Sequence, residues 1–174
     1  MPGDQDFAVT FTVEPLARRH KRDNFSCGAE PLDRYLKTQA SQDKKRRFAA
    51  PYVAVTDDNI VIAYYVLSSF RIDHPDLPED ERKKLPKYPN LPATLLGRLA
   101  VDQNYRGQGI GEYMLLHALK RCNDLSSEIA SYAVVVDAKD DAAITFYRHF
   151  NFRVFPSTAN RLYLPMKQVA KLFR

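Results

Sequence analysis

Only two cysteines, Cys27 and Cys122, occur in the 174 residues. They could pair in principle, but nothing in the chain points to export, so two reduced thiols in a cytosol are expected. No apolar run approaches the ~20 residues that a membrane-spanning helix needs. The opening Met1-Pro2-Gly3-Asp4-Gln5-Asp6 is polar and acidic, which excludes a signal peptide. The four histidines, His20, His74, His117 and His149, show no ligand spacing with cysteines or acids, and no metal is expected. Internal repeats and low-complexity tracts are absent as well.

What is present reads as one globular domain spanning residues 1–174. Hydrophobic residues make up 45% and charged residues 27%, and the length suffices for one sizeable core. The net charge is +5. The cations cluster at Arg18-Arg19-His20-Lys21-Arg22, at Lys44-Lys45-Arg46-Arg47, and at Arg82-Lys83-Lys84 with Lys87. Such a surface suits polyanions, either coenzyme phosphates or a nucleic-acid backbone, although charge runs often mark no more than solvated faces.

Hydrophobic periodicity predicts the elements. Residues 7–13 alternate and read as a half-buried strand. Residues 31–47 read as a helix, with Leu32, Tyr35, Leu36 and Ala40 three or four apart and Pro31 in the first turn. Residues 51–56 and 60–70 read as strands joined by Asp57-Asp58-Asn59, a hairpin signal. Residues 93–101 form another strand, and 110–122 a helix. Residues 132–136 are continuously apolar, typical of a central strand buried on both faces. A helix over 140–150 and a final hairpin of 152–155 with 161–166 follow. The order β-α-β-β-β-α-β-α-β-β describes a mixed α/β sheet. Residues 73–92 interrupt it as a long loop holding five of the 11 prolines, with a short helix expected at 78–85.

The most informative segment is Arg106-Gly107-Gln108-Gly109-Ile110-Gly111, between a strand and a helix. Glycine admits positive φ and leaves no Cβ in a ligand's way. The following helix points unpaired N–H groups into the turn, making a site for phosphate or pyrophosphate. It is not a P-loop, because Glu112-Tyr113 follow where Lys-Ser/Thr is needed. It is not a dinucleotide fingerprint either, since the spacing is R-x-x-G-x-G.

That spacing resembles the acetyl-CoA loop of the GNAT N-acetyltransferases. A narrower resemblance is carried by Phe25-Ser26-Cys27-Gly28-Ala29-Glu30-Pro31-Leu32-Asp33-Arg34-Tyr35-Leu36, by Ala63-Tyr64-Tyr65-Val66-Leu67-Ser68, by Leu96-Gly97-Arg98-Leu99-Ala100-Val101-Asp102, by Val136-Asp137-Ala138-Lys139-Asp140, and by Phe146-Tyr147. Together these look like the GNAT toxins of bacterial toxin–antitoxin modules, over residues 25–166. The sequence departs from that pattern at Ala63, where glycine is usual, and at Asn151, where glycine stands in F-G-F; asparagine tolerates positive φ.

The resemblance implies acetyl-CoA as cosubstrate, with Arg106, Gly107, Gln108, Gly109, Ile110 and Gly111 at its pyrophosphate. It places backbone N–H groups of Leu99, Ala100 and Val101 at the thioester oxygen, where they would stabilise developing charge. Ala143 and Phe146 are further coenzyme contacts. Tyr147 is implied as the general acid; a phenol of pKa about 10 is a poor base but a workable donor to a thiolate. No strong base stands out, and Glu112 and Glu128 are unplaced candidates. An α-amine titrating near about 8 needs less help than a lysine near about 10.4, which favours α-amine acceptors. The resemblance therefore implies a cytoplasmic toxin that acetylates aminoacyl-tRNA and is silenced by a ribbon-helix-helix antitoxin. Lys44, Lys45, Arg46, Arg47, Arg82, Lys83 and Lys84 are the candidate RNA contacts, and a homodimer is left open. The alternatives are an acetyltransferase of a small amine or protein, and an acetyl-CoA-binding module without chemistry.

Overall fold

Ala133, Val134, Val135 and Val136 are completely buried, as a strand covered on both faces must be. In the computed structural model, which describes residues 7–174, they belong to β5 (Ala133–Asp137) of a seven-stranded sheet. The other strands are β1 (Thr12–Pro15), β2 (Ala50–Val55), β3 (Val61–Asp73), β4 (Asn90–Val101), β6 (Arg153–Phe155) and β7 (Thr158–Pro165), in the order β1-β2-β3-β4-β5-β7-β6. This mixed sheet has the expected element order. The polar opening, residues 1–6, lies outside the described residues. By its contacts the chain divides into two compact units: residues up to Ser68 with Arg98–Ala118, and Ser69–Gly97 with Leu119–Arg174.

In the first unit β2 pairs antiparallel with β1 and β3, and Asn59, at φ 64, turns the β2–β3 hairpin. The expected strand over 7–13 is only partly present. Thr12 already pairs with Val55, the last residue of β2, so no strand remains for Phe11 to pair with. Residues 7–11 instead bring Phe7 and Phe11 edge-on against Tyr113, at ring distances of 5.5 and 5.4 Å.

The expected helix over 31–47 exists but is not α-helical throughout. It runs as α1 (Glu30–Arg34), a π-helical turn over Tyr35–Gln39, and α2 (Ala40–Lys45). Tyr35, Leu36 and Ala40 are buried in one core with Phe25, Cys27, Val53 and Tyr64. The Tyr64 hydroxyl donates to the Leu32 carbonyl at 2.7 Å, fastening the helix to β3.

In the second unit β5 lies parallel to β4 over Ala93–Leu96 and antiparallel to β7, which pairs with β6. The interrupting loop is shorter than 73–92, because β3 continues to Asp73 and β4 begins at Asn90. It contains α3 (Glu79–Arg82), four residues within the expected 78–85. Leu77 is buried beneath it, and Glu81 anchors it. One Glu81 oxygen accepts from Tyr163 Oη and Arg153 Nη1, both at 2.7 Å, and the other accepts from Tyr132 Oη at 3.2 Å.

The helix after the glycine loop, α4, spans Ile110–Leu125, and α5 spans Asp141–His149, capped by the Asp140 carboxylate on the Ala143 N–H at 2.8 Å. Asn151 holds φ 68, the conformation that glycine would otherwise supply. A closing helix, α6 (Met166–Lys171), was not foreseen; the sequence reading stops at a strand ending on Met166. Met166 and Val169, three apart, bury its short apolar face.

Candidate functional site

The turn from β4 to α4 is built by one buried acid. Asp102 is 6% exposed, and its two oxygens accept from the Asn104 N–H at 2.9 Å and the Ser26 N–H at 3.0 Å. Its own N–H donates to the Ile62 carbonyl. The strand end is thereby fixed to β3 and to the segment before α1.

The glycine loop follows. Gly107 holds φ 75 and Gly109 φ 82, both in the left-handed region that residues with a Cβ avoid. A Cβ at Gly107 would meet nothing within 4 Å, so the loop face there is open. At Gly111 a Cβ would meet only Val101 Cγ2, at 3.6 Å. Gln108 Oε1 is buried with no hydrogen-bond partner among the described residues. The first turn of α4 begins at Ile110 and leaves its N–H groups without intrahelical acceptors. Two left-handed glycines, an open face and a helix start together fit a bound pyrophosphate.

Arg106 is placed differently from its neighbours. Its guanidinium turns back and donates to the Cys27 carbonyl, lying against Gly28 at φ 87. The side chain therefore ties the loop to the residues before α1, and only the backbone of Arg106 faces the loop. This link is missed by local patterning because 79 residues separate its ends.

Leu99, Ala100 and Val101 lie in the stretch of β4 beyond Leu96, where the parallel register with β5 ends. Ala100 is buried and the other two are half-buried. Arg98, just before them, stacks its guanidinium 3.6 Å from the centre of the Tyr35 ring. The Tyr35 hydroxyl donates to Asp43 at 2.8 Å, and burial first, then that carboxylate, push its pKa up to about 12.

In the second unit, Tyr147 packs between Phe146 and Phe152 at ring distances of 5.3 and 5.5 Å. Its ring is 5% exposed, and its hydroxyl has no hydrogen-bond partner among the described residues. Burial, and secondarily the Asp137 carboxylate, raise its pKa well above the ordinary phenol value. The phenol holds its proton across the whole physiological range. Phe146 and Ala143 are half-buried on the same helix. The two candidate bases are exposed, Glu112 in the first turn of α4 and Glu128 just after that helix.

The candidate RNA contacts fall in two groups. Lys44, Lys45, Arg46 and Arg47 are exposed at and beyond the end of α2, and Lys44 Nζ donates to the Leu16 carbonyl. Lys83 and Lys84 are exposed after α3, with Lys83 3.5 Å from Glu79. Arg82 is half-buried, its Nε without a partner among the described residues. Cys27 and Cys122 are buried and in no disulfide among the described residues, and burial raises the Cys122 thiol to about 12. Among the described residues, no helix is long and apolar enough to cross a membrane, and no group of three or more potential ligands could hold a metal ion.

Residues 49–154 match the family model of the acetyltransferase (GNAT) domain. A tRNA-acetylating toxin of Mycobacterium tuberculosis is 34% identical over 149 residues, covering 86% of this chain and 88% of the relative. Among solved structures, AtaT complexed with acetyl-methionyl-tRNAfMet is 29% identical, with a TM-score of 0.87 over 95% of this chain and 100% of that one. A tyrosine-to-phenylalanine mutant of AtaT, bound to the C-terminus of the antitoxin AtaR and acetyl-CoA, is 25% identical, with a TM-score of 0.80 over 94% and 98%. With the family model covering more than half of its length, the chain belongs to the GNAT acetyltransferases.

Proposed function

We propose that residues 1–174 work as one acetyltransferase domain that transfers the acetyl group of acetyl-CoA to the α-amine of aminoacyl-tRNA, and so acts in the cytoplasm as a translation-blocking toxin. The observation that carries this reading is the glycine loop of residues 106–111, set in a chain that matches a tRNA-acetylating toxin over 86% of its length.

Acetyl-CoA, when bound, supplies an activated thioester. The backbone of residues 106–111 holds its pyrophosphate, with Gly107 and Gly109 leaving the approach clear. Backbone N–H donors on the Leu99–Val101 stretch of β4 serve the thioester oxygen and stabilise the charge that develops there. Ala143 and Phe146 contact the coenzyme. Tyr147 gives its proton to the departing thiolate, for which an uncommitted, fully protonated phenol is suited. No base is assigned: an α-amine is substantially neutral near pH 8, and Glu112 and Glu128 are exposed surface groups. Lys44 to Arg47 and Arg82 to Lys84 grip the RNA backbone.

A toxin of this kind needs restraint, and a ribbon-helix-helix antitoxin is the partner proposed. Support comes from AtaT, whose structure is known with the C-terminus of AtaR. The test is mass spectrometry of a cell-free translation mixture supplied with acetyl-CoA and this protein. Acetyl groups on aminoacyl-tRNA support the proposal. Acetyl groups on proteins or small amines, or none, reject it.

A further inference from the structure

The basic runs 18–22 and 44–47 are separated in sequence but open onto one cavity of about 730 Å³ in the first unit. Arg18, Arg22, Ser41, Lys44, Lys45 and Arg47 all line it, and none of its lining residues is acidic. Two of the cations are held in place by backbone carbonyls. Arg22 Nη1 donates to Leu36 at 2.9 Å, and Lys44 Nζ donates to Leu16. Each uses one donor in this way and keeps others. Arg18, Lys45 and Arg47 make no ion pair among the described residues. Concentrated positive charge without a carboxylate to neutralise it attracts an external polyanion.

The rim carries a second signal. Arg47 holds φ 61, a left-handed conformation that costs a long side chain about 1 kcal/mol or more. The chain bends there, and the Phe48 N–H is fixed on the Asp43 carbonyl at 2.9 Å. Phe48 is left 66% exposed beside the last cation of the run. Phenylalanine is ordinarily among the most buried residues. A positively charged groove next to an exposed ring is the combination that binds single-stranded nucleic acid, with phosphates in the groove and a base on the ring.

We propose that this cavity and Phe48 grip an unpaired stretch of the RNA acceptor, with backbone phosphates on Arg18, Lys45 and Arg47 and one base stacked on the Phe48 ring. The inference rests on the reading that the acceptor is an RNA. An acidic peptide is the rival occupant. It would need apolar pockets for anchoring side chains, and the lining here is dominated by cations.

The test uses the full chain and a fluorescein-labelled single-stranded RNA oligonucleotide, followed by anisotropy. Phe48→Ala should lower the affinity about 5- to 150-fold, the range for loss of one base–aromatic stack, and Phe48→Tyr should retain it. Replacing Arg18 and Lys45 by alanine should flatten the slope of log affinity against log salt by about 0.7 per lost phosphate contact. Wild-type affinity in Phe48→Ala together with an unchanged slope in the double variant overturns the inference. So does a double variant that loses binding to a poly-glutamate peptide while holding RNA as tightly as wild type. The two readings fail separately. A chain that binds RNA through Phe48 but acetylates no aminoacyl-tRNA loses the proposed function and keeps this site. A chain that acetylates aminoacyl-tRNA with Phe48→Ala indistinguishable from wild type in RNA affinity and in KM keeps the function and loses the site.

Discussion

A Cβ built on Gly28 would lie 2.7 Å from Arg106 Nη2. No real Cβ sits that close to a guanidinium, and Gly28 also needs its φ of 87. Gly28→Ala should therefore expel the Arg106 side chain from the Cys27 carbonyl and loosen the glycine loop. Stability should fall by more than about 1 kcal/mol, the usual result of alanine at a left-handed glycine. Acetyl-CoA affinity, read by calorimetry, should drop with it. Undiminished affinity would separate the clamp from the loop.

Gly109→Asp tests the loop directly. The φ of 82 resists any side chain, and a carboxylate would add negative charge where a pyrophosphate is to bind. Acetyl-CoA binding should be lost while the protein still melts cooperatively. Wild-type binding by this variant would move the coenzyme elsewhere.

Tyr147→Phe should reduce turnover by about 100-fold or more, typical of a missing general acid, and change acetyl-CoA affinity little. The pH profile gives an independent check. The raised pKa of Tyr147 means that the proton is still in place at pH 10. The rate should climb through about pH 8 as the α-amine loses its proton, and show no falling limb before pH 10. A limb descending near pH 9 would point to a different acid.

Glu81 makes a prediction about alkaline unfolding. Burial first, and then the Glu81 charge, raise the pKa of Tyr132 to about 12, and burial followed by the Glu81 hydrogen bond raises that of Tyr163 as well. An unfolded tyrosine loses its proton near about pH 10. Between pH 10 and 12 the unfolded chain binds fewer protons than the folded one, so stability falls as pH rises. The buried Cys122 thiol, raised to about 12, acts in the same direction from about pH 8.5, so melting temperature should begin to decline there and fall more steeply above about pH 10. Glu81→Ala should cost about 1–3 kcal/mol at neutral pH by leaving Tyr163 Oη without its acceptor. A variant as stable as wild type would mean that the loop is held by Leu77 alone.

The sheet was largely legible because its signals are local. The run at 133–136 is apolar on both faces, and the 57–59 turn joins two apolar segments of strand length. The glycine loop was legible because its chemistry is written in six consecutive residues. Arg106 was read at the pyrophosphate loop, while the reach of its side chain to the Cys27 carbonyl was not legible, because that partner is 79 positions away. Glu81 sits among other charges in Glu79-Asp80-Glu81-Arg82, where a solvated face is the natural reading; its partners are Tyr132 just before β5, Arg153 of β6 and Tyr163 of β7. Strand limits at the amino-terminal edge depended on where β2 ends, which alternation in residues 7–13 cannot convey.

The π-helical turn over Tyr35–Gln39, closed by the Ala40 N–H on the Tyr35 carbonyl, gives the helix one residue more than an α-helical path would need. Each α-helical residue advances the chain by about 100° of rotation. The widened turn absorbs that surplus residue locally, so Tyr35 and Ala40 both face the core and the helix beyond keeps its bearing. Deleting Thr38 should let the segment relax into an uninterrupted α-helix that still folds. Because the surplus residue and the widened turn leave together, Lys44, Lys45, Arg47 and the Phe48 ring would then keep their bearing, and the cationic face would survive the shortening of the helix.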